Sequence, residues 1–109
     1  MSTSPSTIEG ILSHLADDEA VTARKMFGEY GLFRDGKMVA LVCDDILYVK
    51  PTPSGLALLG AHEEGPPYPG AKPCAIVTER FMQRSRKLDE LLRLTARELP
   101  APRPKARKR

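Results

Sequence analysis

The sequence predicts a single α+β domain, an antiparallel sheet of about five strands packed against an N-terminal and a C-terminal helix. Three observations predict it. Residues 21–50 divide into four strand-length apolar runs joined by two-residue connections, which are too short for anything but antiparallel neighbours. Apolar residues recur at helical spacing before this block, at Ile8, Ile11, Leu12 and Leu15, and after it, at Phe81, Leu88, Leu91, Leu92, Thr95 and Leu99. At 109 residues the chain is near the common size of one domain and can bury one modest core without metal or disulfide staples.

Taken in order, Ser6 followed by Glu9 matches a capping box, with Ser4 ahead of Pro5 as an alternative cap, and the first helix is expected to end near Ala16. Asp17 and Asp18 belong to the following turn. Strands are expected over 21–27, 30–34, 37–43 and 46–50, separated by Gly28-Glu29, Asp35-Gly36 and Asp44-Asp45. Asp35-Gly36 is the strongest hairpin signal, because Gly accepts the positive φ of a type I′ turn. Both alternating sets of residues 38–43 are apolar, which marks a central strand covered on both faces. Pro51 and Pro53 end the block. A short helix over 54–61 is carried by Leu56, Leu58 and Leu59 and weakened by Gly55 and Gly60. Residues 62–73, with four prolines and two glycines, read as a loop. A fifth strand follows over 74–79, and one helix runs from about Phe81 until Pro100 stops it. The domain therefore spans 1–99, and 100–109 reads as a basic, Pro-rich tail that is disordered in isolation.

Composition excludes several classes. No apolar stretch approaches the roughly 20 residues that span a bilayer. The N-terminus lacks the charged and apolar regions of a signal peptide, so a cytoplasmic location is expected. Cys43 and Cys74 stand 31 positions apart without a CxxC context and read as reduced packing residues rather than a disulfide or a redox pair.

The block RKMFGEYGLFRDGKMVALVCDDILYVK, residues 24–50, resembles the signature of the TfoX (Sxy) N-terminal domain family. The matching elements are the Met-Phe-Gly-x-Tyr-Gly run at 26–31, Asp35-Gly36, the apolar strand at 38–42, and the Asp-Asp turn before Leu47-Tyr48. Pro67-Tyr68 and the helix at 88–99 extend the likeness to roughly residues 7–99. Glu29 stands where the family often has Gly. The resemblance implies a compact α+β domain and a role in regulation, since the family is named for a bacterial regulator of natural competence thought to act with the cyclic-AMP receptor protein at promoters. Longer members carry a second domain, where this chain has a ten-residue basic segment. The resemblance supplies no catalytic residues.

The residues themselves show no catalytic or cofactor constellation. His62-Glu63-Glu64 lacks the ligand number and spacing of a structural zinc site. No sequence feature places His14 or His62 beside Cys43 as a thiolate partner. Asp44-Asp45 is explained as a turn whose side chains bond their own backbone. No phosphate-binding glycine loop is present. The aromatic group Met26, Phe27, Tyr30 and Phe33 beside Arg24, Lys25 and Arg34 reads as packing rather than a stacking platform. Tyr48 and Tyr68 are interface candidates.

Charge is the remaining signal. Residues 80–109 carry 11 Lys or Arg against 3 Asp or Glu, while the rest of the chain is net negative. Arg80, Arg84, Arg86 and Lys87, with Arg103, Lys105, Arg107, Lys108 and Arg109 in the tail, are the expected contacts to nucleic acid or another anion. The expected function is thus a non-enzymatic regulatory or interaction module, without cofactor, contacting a transcription-related protein or nucleic acid. Two other readings stand beside it. One is a small ligand-binding domain or enzyme with a pocket between the sheet and loop 62–73. The other is a module that homodimerises through an exposed strand.

Overall fold

The computed structural model describes residues 3–15, 20–26, 28–84 and 86–100. The elements are α1 (Pro5–Ser13), β1 (Val21–Met26), β2 (Glu29–Arg34), β3 (Lys37–Cys43), β4 (Ile46–Val49), α2 (Pro53–Leu59), β5 (Glu64–Gly65), β6 (Cys74–Val77), α3 (Glu79–Met82) and α4 (Lys87–Glu98). The strands form one antiparallel sheet in the order β1-β2-β3-β4-β6-β5. The α+β class is as the sequence predicts, with six strands in place of five. The extra one is a two-residue strand within the Pro-rich loop, and its Glu64 and Gly65 pair with Ala75 and Cys74.

Turn chemistry sets the register. Asp35 and Gly36 take φ of 56° and 76°, the positive pair that a type I′ hairpin demands, and Arg34 faces Lys37 across the turn. Asp44 and Asp45 do the same at 53° and 63°, without a glycine. Asp tolerates the left-handed region better than most residues, and here the turn is also held from outside. The Asp45 carboxylate accepts from Ser4 N–H at 2.9 Å and from Thr7 Oγ1 at 2.8 Å, so the β3–β4 turn caps α1. Thr3, buried beside it, donates through Oγ1 to Glu29 Oε1 at 2.6 Å, and the amide of Asp44 donates to the same oxygen at 3.0 Å. Ser4, the alternative, is therefore the helix cap rather than Ser6, and the cap's acceptor comes from 41 residues away. The helix stops at Ser13, and Ala16 to Asp18 lie outside the described residues. Glu29 belongs to β2 and pairs with Met26, rather than standing in the first connection, and Phe27 lies outside the described residues.

The C-terminal helix departs most from expectation. It is two helices, broken where Arg86 adopts φ 61°. Residues 83–87 include no apolar side chain to carry a continuous helical stripe from Met82 to Leu88. Thr78 caps α3 by accepting from Phe81 N–H at 3.2 Å. The break leaves both Phe81 and Leu88 buried.

The helices pack on one face of the sheet. Leu32, Val42, Leu47, Val49 and Val77 from the strands meet Ile8, Ile11, Phe81, Leu88, Leu91 and Leu92 from the helices. Gly55 does not weaken α2 so much as let it approach α4. A Cβ there would lie 2.8 Å from Thr52 Oγ1 and 3.0 Å from Thr95 Oγ1. Lys37 closes the far end, donating to the carbonyls of Ala96 at 2.6 Å and Leu99 at 2.9 Å, a cation on the exposed acceptors of the α4 C-terminus.

Candidate anion-binding groove and the open face of the sheet

Of the cationic residues picked out by sequence, Arg80 and Arg84 come together. Both are exposed and line an open groove of about 480 Å³ floored by Leu59, Ile76 and Phe81. The groove's third basic group is His62. Its position follows from the small β5–β6 pairing, because Ile76 N–H donates to the Glu63 carbonyl at 2.8 Å and brings the start of the loop beside the residues that follow β6. Sequence reading considered His62 as a metal ligand and as a thiolate partner, not as part of an anion site. No local signal links it to Arg80, 18 positions away, before the two-residue strand is known.

The chemistry around His62 favours the cation. Nδ1 lies 2.6 Å from the Gly60 carbonyl and Nε2 3.3 Å from Glu64 Oε2, so both ring nitrogens face acceptors. Only imidazolium donates from both. The Gly60 carbonyl, with a smaller contribution from the Glu64 carboxylate, raises the His62 pKa above its ordinary value, and partial burial opposes the rise. Among the described residues the ion pairs are Arg34–Asp89 at 3.9 Å and His62–Glu64, neither of which engages Arg80 or Arg84. Arg86 and Lys87 start α4 and do not line the groove. Arg103, Lys105, Arg107, Lys108 and Arg109 lie outside the described residues.

The other candidates for chemistry are not brought together. Among the described residues no three His, Cys, Asp or Glu side chains group as metal ligands. His14 caps α1 through its backbone N–H. Cys43 and Cys74 are free and buried, packed with Tyr48, Leu41 and Ile76 on the face opposite the helices. Desolvation, foremost, raises both thiol pKa values, so each stays a neutral thiol near pH 7. The register places Cys43 two residues beyond Leu41 and Cys74 two residues before Ile76, with β4 between. That separation is roughly 13 Å along the strands, beyond the Cα distance a disulfide can bridge.

This second face is open. Gly31, Leu41, Tyr48 and Ile76 form one cross-strand row, and the methyl groups of Met26 and Met38 crowd over Gly31, 2.9 and 3.1 Å from where a Cβ would stand. Arg24 lies over the Phe33 ring at 5.5 Å, a packing contact at the edge of the sheet. Pro67 and Tyr68 hang over the row, leaving a cavity of about 460 Å³ toward Met26 and a second of about 680 Å³ toward Lys50. Tyr68 is 56% exposed, whereas Tyr48 beneath is buried. The loop pocket considered from sequence therefore exists, but its walls are mainly apolar.

An antiparallel sheet with helices on one face and an acceptor-held N-terminal helix defines a small α+β module, and comparison places it. The chain belongs to the TfoX N-terminal domain family, whose description matches residues 13–99. It is similar to an uncharacterised 12.7 kDa protein in the trpE 5′ region of Spirochaeta aurantia, 40% identical over 88 residues that cover 81% of this chain and 76% of the relative. None of the described helices is long and apolar enough to cross a membrane.

Proposed function

We propose that this TfoX-family chain is a non-enzymatic regulatory module of the cytoplasm that contacts nucleic acid phosphates with its basic side while engaging a transcription-related partner. The observation that carries the reading is the groove where Arg80, Arg84 and a cation-favouring His62 converge. Two guanidiniums supply the hydrogen bonds that phosphate oxygens accept, and the imidazolium, whose ring nitrogens face Gly60 and Glu64, adds positive charge beside them. Arg86 and Lys87 extend the basic track toward α4, and the tail cations add a sequence-independent attraction that weakens with salt. The family's name adds a link to competence to this reading.

The test is fluorescence anisotropy of labelled duplex DNA with the full chain at two salt concentrations. The partners are R80Q/R84Q and a full-length variant with the five tail cations changed to Gln. Salt-sensitive binding that weakens in both variants is the expected result. Absence of binding at low salt, or binding indifferent to both sets of substitutions, overturns the nucleic-acid assignment.

A further inference from the structure

We propose that the helix-free face of the sheet binds a small organic anion with a flat or extended apolar body, its charged head on Lys50 and Lys72 and its body on Met38 and Leu41 beneath Tyr68. The space is suitable. The two cavities adjoin at Leu41, Pro67 and Tyr68 and follow one another as a trough along the face, and each lies within the range typical of small-molecule sites. The walls are suitable too. Methionine side chains adapt to irregular apolar shapes, and an aromatic ring left more than half exposed above an apolar floor offers a stacking surface.

Charge selects the occupant. Among the described residues, the charged ones lining the larger cavity are Lys50 and Lys72, with no carboxylate beside them. Glu29 lines the opposite end, and one of its oxygens already accepts from Thr3 and the Asp44 amide. The trough is therefore cationic at one end and apolar along its length. This argues against the chain's own tail, whose five cations would meet the two lysines at like charge. The buried thiols of Cys43 and Cys74 serve as apolar wall, since neither is a thiolate near pH 7.

The experiment uses the full chain with two fluorescent probes, the anionic 8-anilino-1-naphthalenesulfonate and the neutral N-phenyl-1-naphthylamine. Both are titrated under conditions where circular dichroism shows a cooperative unfolding transition. Saturable enhancement with one site is expected for both, displaced by decanoate. K50Q/K72Q is expected to weaken the anionic probe about tenfold, the scale of losing a charge-assisted contact, and to leave the neutral one within about twofold. Lys50 is half-buried and Lys72 exposed, so this variant keeps the core intact. Y68A is expected to weaken both probes. R80Q/R84Q is expected to change neither, which separates this site from the phosphate groove. Lack of saturation with either probe overturns the proposal, as does equal loss of both probes in K50Q/K72Q. Loss of the signal as light scattering reports a dimer also overturns it, in favour of self-association through this face.

Discussion

Arg86 is an exposed residue at φ 61°, a conformation that costs an L residue with a Cβ roughly 1–2 kcal/mol. Glycine would relieve that strain but lose more chain entropy on folding, so R86G is expected to stabilise the protein by up to about 1 kcal/mol in denaturant unfolding. If Arg86 belongs to the basic track, the same variant binds DNA more weakly while melting later, a combination that a purely structural residue does not give. His62 supplies a second prediction. Its pKa is raised by the Gly60 carbonyl and Glu64, so its positive charge is present at low pH and is lost as pH rises through that raised value. DNA affinity should therefore tighten as pH falls across the histidine range, and H62Q should flatten the profile. Sequence reading could not find either property. Nothing local marks Arg86 as left-handed, and His62 joins the arginines only through strand pairing. What it did read at this scale were turn residues, Asp35-Gly36 above all, because there the conformation is dictated by the residue itself.

Strands were legible almost to the residue where hairpins bounded them, and the helices were less so. The reason is that hairpin register is written in neighbouring residues, whereas helix ends here depend on distant groups. Ser4 caps α1, yet the acceptor for its amide is Asp45; α2 begins under Thr52, whose Oγ1 accepts from Gly55 N–H at 3.2 Å, and under Glu98, which accepts from Ser54 N–H at 2.8 Å. Ser54 and Asp45 thus mark a shared device, a helix start held by a carboxylate from another element. The Ser4 amide, with the Thr7 hydroxyl, holds the Asp45 carboxyl below its ordinary 3.8. A depressed carboxylate contributes stability above its unfolded pKa and loses it as pH falls through the folded value. D45A is accordingly expected to lower the melting temperature by a few degrees at pH 7. The gap to the parent should close as pH falls below about 4, because both proteins then lack the ionised acceptor. A constant gap from neutral pH down to pH 2 would mean that the Asp45 backbone geometry, and not its charge, matters.

At the scale of the molecule, the sheet divides structure from surface. One face is sealed by helices around Leu88, Leu91 and Leu92, all fully buried, while the other keeps Leu41, Met38 and Tyr68 partly open. The binary pattern of β3 foretold that both faces would be apolar, but a pattern along one strand does not say which face receives helices and which a loop. Charge is divided as well. Residues 1–102 carry 12 Lys or Arg against 14 Asp or Glu, so any attraction to nucleic acid works against the net charge of the body and depends on where its cations sit. Counterion release turns this into a number. Each phosphate neutralised on duplex DNA contributes about −0.9 to the slope of log affinity against log salt. Changing the five tail cations to Gln should therefore flatten the slope by up to about 4.5, and R80Q/R84Q by about 2. If the tail and the groove contact separate phosphates, the two effects add when combined. A combined loss no greater than that of the tail alone would place the groove away from the DNA and leave the tail as the whole of the nucleic-acid contact.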